Sequence, residues 1–249
     1  MRRFRNVFLL CWLLGNLPAS LAGETLLVAV ASNFMGPMRE IGAAFERETG
    51  HRVTLASGSS GKLYAQIRYG APFDVFLSAD REKPQALIDA GHALPDSRIT
   101  YALGTLVLWS PGADDPLALL NTDFNRLALA NPRLAPYGQA AEATLDKLNL
   151  LNATRPRWVQ GENIAQAFQF VASGNAQLGF VALSQLREHP VSGGLWEVPA
   201  ELHPPIRQDG VILNRSKNIN ISKALIGFFN SDSVREILSR YGYRQPESG

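Results

Sequence analysis

The chain contains very little cysteine. Its 249 residues include one, Cys11, in an apolar run that is too close to the N-terminus for a lipoprotein cleavage site. We interpret it as an ordinary apolar residue of a removable leader, residues 1–22. The remaining 249 − 22 = 227 residues contain no other cysteine, so they can form no disulfide and must be stable in an oxidising compartment through their core alone. That length is enough for one large domain or two modest ones.

An excess of charge of one sign is also missing. Residues 1–22 hold three arginines and no acid, so the rest of the chain has 24 − 3 = 21 basic and 22 acidic residues, a net charge of −1. The formal charge of +2 on the whole chain therefore comes from the leader. A nearly neutral protein gives no support for binding to nucleic acid or to a membrane surface.

Motifs for metal binding and catalysis are lacking as well. The segment Gly58–Lys62 does not match a P-loop, because Ala56 and Leu63 occupy two of its required positions. It does not match a nucleophile elbow either, because Lys62 replaces the second glycine. A Ser–His–Asp set scattered along the sequence remains an open alternative. The four histidines never show the spacings typical of metal ligands: His51, His92, His189 and His203.

The first 22 residues have the three parts of a secretory signal peptide. Three arginines precede the short apolar run VFLLCWLLGNL, and the small-residue stretch Ala19–Ala22 follows it. The run is too short to span a bilayer as a helix. The alternative, a buried N-terminal helix, would carry polar positions at every turn, and this run carries almost none. We therefore predict export and a mature protein that works in the periplasm.

The rest of the chain alternates short apolar runs with helical patterns, which predicts α/β architecture with parallel sheets and helices on both faces. Pro/Gly-rich stretches at 110–112 and 203–205 mark where two lobes could meet. Predicted strands are 26–30, 52–56, 74–78, 105–109, 127–130 and 178–183. Predicted helices start near residues 35, 62, 137 and 164, and two more cover 222–229 and 233–240.

Four junctions between elements carry small or hydroxylated residues where a helix is predicted to begin. Helix N-termini present unpaired N–H groups and the positive end of a dipole, and glycine lets the backbone approach an anion closely. Each junction alone is more typical of an ordinary N-cap. In a doubly wound fold, however, the carboxyl ends of the strands face one crevice. The junctions are Ala31–Asn33, Gly58–Gly61, Pro136–Gly138 and Gly161–Ile164.

At these junctions the chain resembles the periplasmic molybdate-binding proteins of ABC transporters. The motifs that carry the resemblance are GSSGKLYAQI and GAPFDVFLSAD in 58–80, ALANPRLAPYGQAAEATL in 128–145, GENIAQAFQFVASGNAQLGFVALSQ in 161–185 and REILSRYGY in 235–243. The resemblance covers essentially the whole mature chain. It implies a type II periplasmic binding protein fold, in which two doubly wound α/β lobes are joined by two crossing strands and the ligand lies between the lobes. We assign residues 23–103 and 205–249 to the first lobe and 104–204 to the second.

The resemblance also implies a set of oxyanion-binding residues: Ser32, Asn33, Ser60, Tyr137 and Ile164. Ser32 and Ser60 would donate from the first lobe, with the N–H of Asn33 beside them, and Tyr137 and Ile164 from the second. Some family members contact the anion through a tyrosine at the position of Ala182. The expectation here is that the hydroxyl of Tyr137 replaces it. No other metal site and no cofactor is implied.

The implied function is capture of molybdate, and of tungstate, for delivery to a membrane permease by a monomeric protein without enzymatic activity. Molybdate is a fully deprotonated dianion at neutral pH, so its partners should all be donors, and the proposed set contains no acid. Two alternatives remain open from the residues. One is the same fold with another small oxyanion or organic anion, and the other is an exported hydrolase that uses one of the serines.

Overall fold

The structure, a computed structural model, describes residues 23–244. The predicted signal peptide, residues 1–22, lies outside the described residues, as do the last five. Within the described part, no helix is both long enough and apolar enough to cross a membrane.

Residues 23–244 form ten strands and ten α-helices, with short 3-10 turns between some of them. The strands are β1 Thr25–Ala31, β2 Arg52–Gly58, β3 Val75–Leu77, β4 Ile99–Gly104, β5 Leu106–Ser110, β6 Leu127–Ala130, β7 Trp158–Gly161, β8 Leu178–Ala182, β9 Gly194–Glu197 and β10 Ile206–Ile212. The helices are α1 Met35–Thr49, α2 Ser60–Arg68, α3 Glu82–Asp89, α4 Pro116–Leu120, α5 Pro136–Lys147, α6 Leu151–Thr154, α7 Ile164–Ala172, α8 Leu183–Glu188, α9 Ile219–Phe228 and α10 Asp232–Arg240. All six predicted strands and all six predicted helices are present, with ends that differ by no more than three residues.

The strands form two five-stranded sheets, in the order β2-β1-β3-β10-β4 in the first lobe and β7-β6-β8-β5-β9 in the second. The prediction of parallel sheets is wrong for one strand in each sheet. Strand β10 runs antiparallel to both of its neighbours, and so does β5. The reason is topological, because each of these strands enters its sheet from the other lobe and not through a helical crossover on the same sheet. The fold is the predicted pair of α/β lobes, with mixed sheets.

Each sheet is covered on both faces, as the apolar runs predicted. In β1, Leu26, Val28 and Val30 pack with α1 and the C-terminal helices, while Ala29 faces the opposite side, toward α2 and α3. Fully burying one such Leu or Val side chain stabilises a fold by about 1.5–3 kcal/mol. The second sheet likewise separates two apolar clusters. The covered faces leave the ends of the strands to form the cleft.

Two crossings connect the lobes. Strand β4 ends at Gly104 and β5 begins at Leu106, so Thr105 alone separates them. The return crossing leads from β9 through a 3-10 turn at Ala200–Leu202 into β10. Helices α9 and α10 then complete the first lobe, where α10 packs on α1. The lobe limits assigned from the sequence, at 103/104 and 204/205, remain a prediction.

Candidate functional site

The four junctions singled out in the sequence meet in one small cavity between the two sheets. Residues of the first lobe line one side and residues of the second lobe the other. The lining residues are Ala31, Ser32, Asn33, Gly58, Ser59, Ser60, Ala79, Ala135, Pro136, Tyr137, Asn163 and Ile164. The structure therefore brings together all five residues of the expected binding set, and every residue that lines the cavity is uncharged.

The first lobe contributes hydroxyl groups at helix starts. Ser32 begins a 3-10 turn that leads from β1 into α1. Ser60 is the first residue of α2 and is buried, and its Oγ accepts a hydrogen bond of 2.9 Å from the N–H of Ala79. Because a protein donor already occupies the oxygen, the hydroxyl proton of Ser60 is left to donate into the cavity. The ordinary cap of α2 is Ser59, whose Oγ accepts from the N–H of Lys62.

The side-chain amide of Asn33 is used inside the protein. Its Nδ2 donates to Gln208 Oε1 at 2.8 Å and to the hydroxyl of Tyr243 at 3.0 Å. The backbone carbonyl oxygen of Asn33 accepts from Ser184 Oγ at 2.9 Å, which ties α8 of the second lobe to the first. Asn33 therefore has its backbone N–H to offer a ligand, the group that the resemblance implied.

The second lobe contributes two helix N-termini. Helix α5 begins at Pro136, which has no N–H, so the N–H of Tyr137 is the first donor of that helix. Helix α7 begins at Ile164, and Asn163 caps it by accepting from the N–H groups of Ala165 and Gln166. The first N–H groups of a helix have no partner within it. Asn163 is thus an ordinary N-cap, and the N–H groups of Tyr137 and Ile164 are the donors at this side.

The hydroxyl of Tyr137 lies deep in the protein, beside the crossing strands. It accepts from Gln208 Nε2 at 3.4 Å, and a side chain at Gly104 would clash with it. Burial raises the pKa of Tyr137 well above its ordinary value, and the neighbouring Tyr243 and Tyr101 add to this, so the group keeps its proton. Tyr137 and Ala182 belong to one buried cluster. The expected replacement of a family tyrosine at Ala182 by the Tyr137 hydroxyl stays a prediction.

Charged side chains flank the cavity in an interlobe pair. Lys62, in the first turn of α2, contacts both carboxylate oxygens of Glu162 at 3.0 and 3.1 Å. Next to it, the N–H of Gly61 donates to the carbonyl of Leu134 at 2.8 Å, and a Cβ at position 61 would crowd that carbonyl. Across residues 23–244, no group of three or more metal-ligating side chains comes together. The contacts of Lys62 and Gly61 thus join the two lobes next to the cavity.

Sequence reasoning missed three residues that shape the site. Ala79 holds Ser60 through its N–H, and Gln208 and Tyr243 hold Asn33. Gln208 gives only a weak signal, its place next to the second crossing, because the charged neighbours Arg207 and Asp209 make it look like part of an exposed polar run. Nothing in the sequence marks Ala79, since its contribution is a backbone group.

Comparison with known proteins places the chain in a family. The model of the family described as bacterial extracellular solute-binding protein matches residues 26–244. A molybdate-binding protein of Azotobacter vinelandii is 49% identical over 222 residues, covering 87% of this chain and 88% of that protein. A molybdate-binding protein of Rhodobacter capsulatus is 46% identical over 230 residues, covering 91% and 90%. The solved structure of an Azotobacter vinelandii periplasmic molybdate-binding protein superposes with a TM-score of 0.85 at 39% identity, covering 89% of this chain and all of that one.

The chain therefore belongs to the family of bacterial extracellular solute-binding proteins. The resemblance to periplasmic molybdate-binding proteins, predicted from the motifs around the four junctions, is confirmed by these relatives. The two-lobe fold that the resemblance implied is confirmed by the solved structure.

Proposed function

We propose that this protein is the periplasmic solute-binding component of an ABC transporter, and that it captures molybdate in the interlobe cavity and delivers it to the membrane permease. The observation that carries the proposal is the meeting of four donor-bearing junctions in one small cavity without a charged lining residue. Two relatives named as molybdate-binding proteins, each covered along most of its length, support the choice of ligand.

The donor set suits a ligand that only accepts hydrogen bonds. The proposed contacts are the hydroxyls of Ser32, Ser60 and Tyr137 and the N–H groups of Asn33, Tyr137 and Ile164. The oxygen atoms of Ser60 and Tyr137 already accept from Ala79 and Gln208, so their protons can be directed to the ligand. A singly protonated anion such as hydrogen phosphate needs an acceptor for its own proton, which a carboxylate in the lining would supply. The lining contains none.

Helix N-termini replace cationic side chains in this arrangement. Three α-helices, α2, α5 and α7, begin at the cavity, with Ser60, Pro136 and Ile164 as their first residues. Their N–H groups and dipoles hold negative charge without a lysine or arginine in contact with it. Charge-assisted hydrogen bonds contribute roughly 1.5–3 kcal/mol each, so about six of them are enough for tight binding after the cost of association is subtracted.

Tungstate, a tetrahedral dianion of nearly the same size, should bind as molybdate does, whereas sulfate is smaller and should fit the same donors less well. Because the donors come from both lobes, binding should favour a closed arrangement. Rotation should centre on the two crossings near residues 103 and 205. The protein performs no chemistry on the anion and acts as a monomer.

The proposal is tested with the chain lacking residues 1–22. Molybdate and tungstate should bind in isothermal titration calorimetry and raise the melting temperature, and phosphate should do neither. Equal stabilisation by phosphate, or a preference for sulfate or for an organic anion, would contradict the proposed ligand. Small-angle scattering should show a smaller radius of gyration with molybdate, and an unchanged radius alongside tight binding would rule out closure.

A further inference from the structure

A buried polar cluster lies between the candidate anion site and the crossing strands. Its centre is Gln208, the third residue of β10, which is fully buried. Gln208 Oε1 accepts from Asn33 Nδ2 at 2.8 Å and contacts the Tyr101 hydroxyl at 3.1 Å, while Nε2 donates to the Tyr137 hydroxyl at 3.4 Å. Through one side chain, the cluster links a binding residue of the first lobe, Asn33, to a binding residue of the second, Tyr137.

The hydrogen bonds around Asn33 fix which way the Gln208 amide points. The hydroxyl of Tyr243 donates its one proton to the backbone carbonyl of Asn33 at 2.8 Å. The Tyr243 oxygen must therefore accept from the Asn33 side chain, which orients Nδ2 toward Tyr243 and Gln208. Gln208 then presents its oxygen to Asn33 and its NH₂ group to Tyr137.

This orientation determines what the Tyr137 hydroxyl can do. A hydroxyl that accepts from an amide N–H keeps its own proton for another partner. Gly104 leaves the room that the hydroxyl occupies, since any side chain there would clash with it. The contact of 3.4 Å is longer than the usual 2.7–3.2 Å, which suits a group that adjusts as the lobes close.

We infer that Gln208 is a positioning residue for oxyanion binding: its amide makes the Tyr137 hydroxyl a donor to the ligand and couples that hydroxyl to Asn33. The inference rests on the proposed function. Gln208 lies outside the cavity lining. Its role in binding depends on an N–H at this position and not on polarity alone.

Two substitutions distinguish the N–H of Gln208 from the polarity of its side chain. Gln208→Met keeps the length of the side chain but removes both the donor and the acceptor. The dissociation constant for molybdate should rise about three- to tenfold, the range expected for one misdirected hydrogen bond. Gln208→Glu keeps the acceptor for Asn33 and places a second oxygen against Tyr137. When ionised, that oxygen attracts the proton of Tyr137 away from the ligand and adds negative charge near a dianion.

Gln208→Glu should therefore give a pH profile that wild type lacks. Between pH 6 and 9, molybdate affinity of the variant should fall about tenfold or more as pH rises, because a protonated carboxyl can donate and an ionised one cannot. The titratable groups that face this position are Tyr101, Tyr137 and Tyr243, whose pKa values are raised by burial, and Asp80 and Asp209 nearby. Wild type contains the same groups and controls for their titration.

The measurement is the dissociation constant for molybdate by calorimetry, with the melting temperature of each variant recorded beside it. Ser97→Ala is the matched control for lost buried hydrogen bonds. Ser97 Oγ donates to Leu94 and accepts from Ile212, away from the cavity. This control should lower the melting temperature and leave the dissociation constant within about twofold, as expected for a distant site.

A double-mutant cycle with Tyr137→Phe completes the test. In the phenylalanine background Gln208→Met should cause little further loss of affinity, since the hydroxyl it positions is gone. Unchanged affinity in both Gln208 variants, with only the melting temperature lowered, would overturn the inference and leave Gln208 a purely structural residue. If Gln208→Met does not fold, the pH profile of Gln208→Glu decides alone, and a flat profile overturns the inference. Failure of wild type to bind molybdate would instead contradict the proposed function.

Discussion

The two halves of the candidate site present their donors differently. In the first lobe, Ser32 and Ser60 offer side-chain hydroxyls, and the oxygen of Ser60 is held by the N–H of Ala79. In the second lobe, Tyr137 and Ile164 stand at the first turns of α5 and α7, where backbone N–H groups have no partner within the helix, and the Tyr137 hydroxyl is the one side-chain donor proposed there. One half is thus built mainly from side chains and the other largely from the main chain.

This difference has a direct consequence for mutation. A hydroxyl can be removed by replacing one residue, whereas a backbone N–H survives every substitution except proline. Sensitivity to side-chain truncation should therefore be concentrated in the first lobe and at the Tyr137 hydroxyl, and the rest of the second lobe should tolerate changes of its side chains as long as the helix starts are kept.

The largest effect is expected for Ser60→Ala. The substitution removes one donor to a buried dianion and should weaken molybdate binding by about 1.5–3 kcal/mol, which is roughly 10- to 150-fold. Calorimetry measures the change. Ser110→Ala is a matched control, because Ser110 is equally buried and its Oγ donates to the carbonyl of Gln177 in the second lobe, away from the cavity. Wild-type affinity in Ser60→Ala would remove the hydroxyl from the proposed donor set.

The half of the candidate site in the second lobe is tested by a pair of substitutions at Ile164. Ile164→Val keeps the N–H and should change affinity less than about twofold, whereas Ile164→Pro removes the N–H and should weaken binding about tenfold. Proline is tolerated at the first position of a helix, and Asn163 has the extended conformation that a residue before proline prefers. If both variants bind alike, the N–H of Ile164 is not a contact.

The sequence predicted the strands, the helices and the junctions because each is a local pattern: an apolar run, a small-residue turn and a helix start. The arrangement of these elements in two lobes was implied by the family resemblance. The sequence did not predict the antiparallel strands β5 and β10, since their direction depends on the path of the chain between the sheets. The roles of Ala79 and Gln208 could not be predicted from the sequence either. They depend on which backbone and side-chain atoms meet after folding, over separations of 19 and 175 residues.

Buried tyrosines also join the two halves of the site, and their ionisation predicts how the stability of the fold depends on pH. Burial raises the pKa of Tyr243 from 10.0 to about 12. A group with a raised pKa in the folded state contributes stability below its unfolded pKa and loses it as pH rises toward the folded value. The free energy of unfolding should therefore fall between pH 10 and 12, by roughly 3 kcal/mol from this group. Chemical denaturation at several pH values measures it.

In Tyr243→Phe that alkaline loss should shrink, although stability near pH 7 should also be lower because the hydroxyl contacts Asn33 and Ser184. Tyr69→Phe, at an exposed tyrosine, should behave as wild type. An alkaline slope unchanged in Tyr243→Phe would show that other groups cause the loss.

The smallest effect is expected at the Lys62–Glu162 pair, which joins the halves at the cavity edge. Both side chains are partly exposed to solvent, at 50% and 34%, and pairs of this kind contribute about 0–1 kcal/mol. Glu162→Gln should therefore raise the dissociation rate of molybdate by no more than about fivefold, and the difference from wild type should shrink with added salt.

Arg155→Ala, which breaks a similar pair with Glu142 inside the second lobe, is the control and should leave the rate unchanged. Stopped-flow displacement by excess tungstate measures both. Because Lys62 and Glu162 stand next to the donors without lining the cavity, an effect larger than that of Ser60→Ala would mean that the interlobe ion pair, and not the uncharged donor set, determines how long the anion is held.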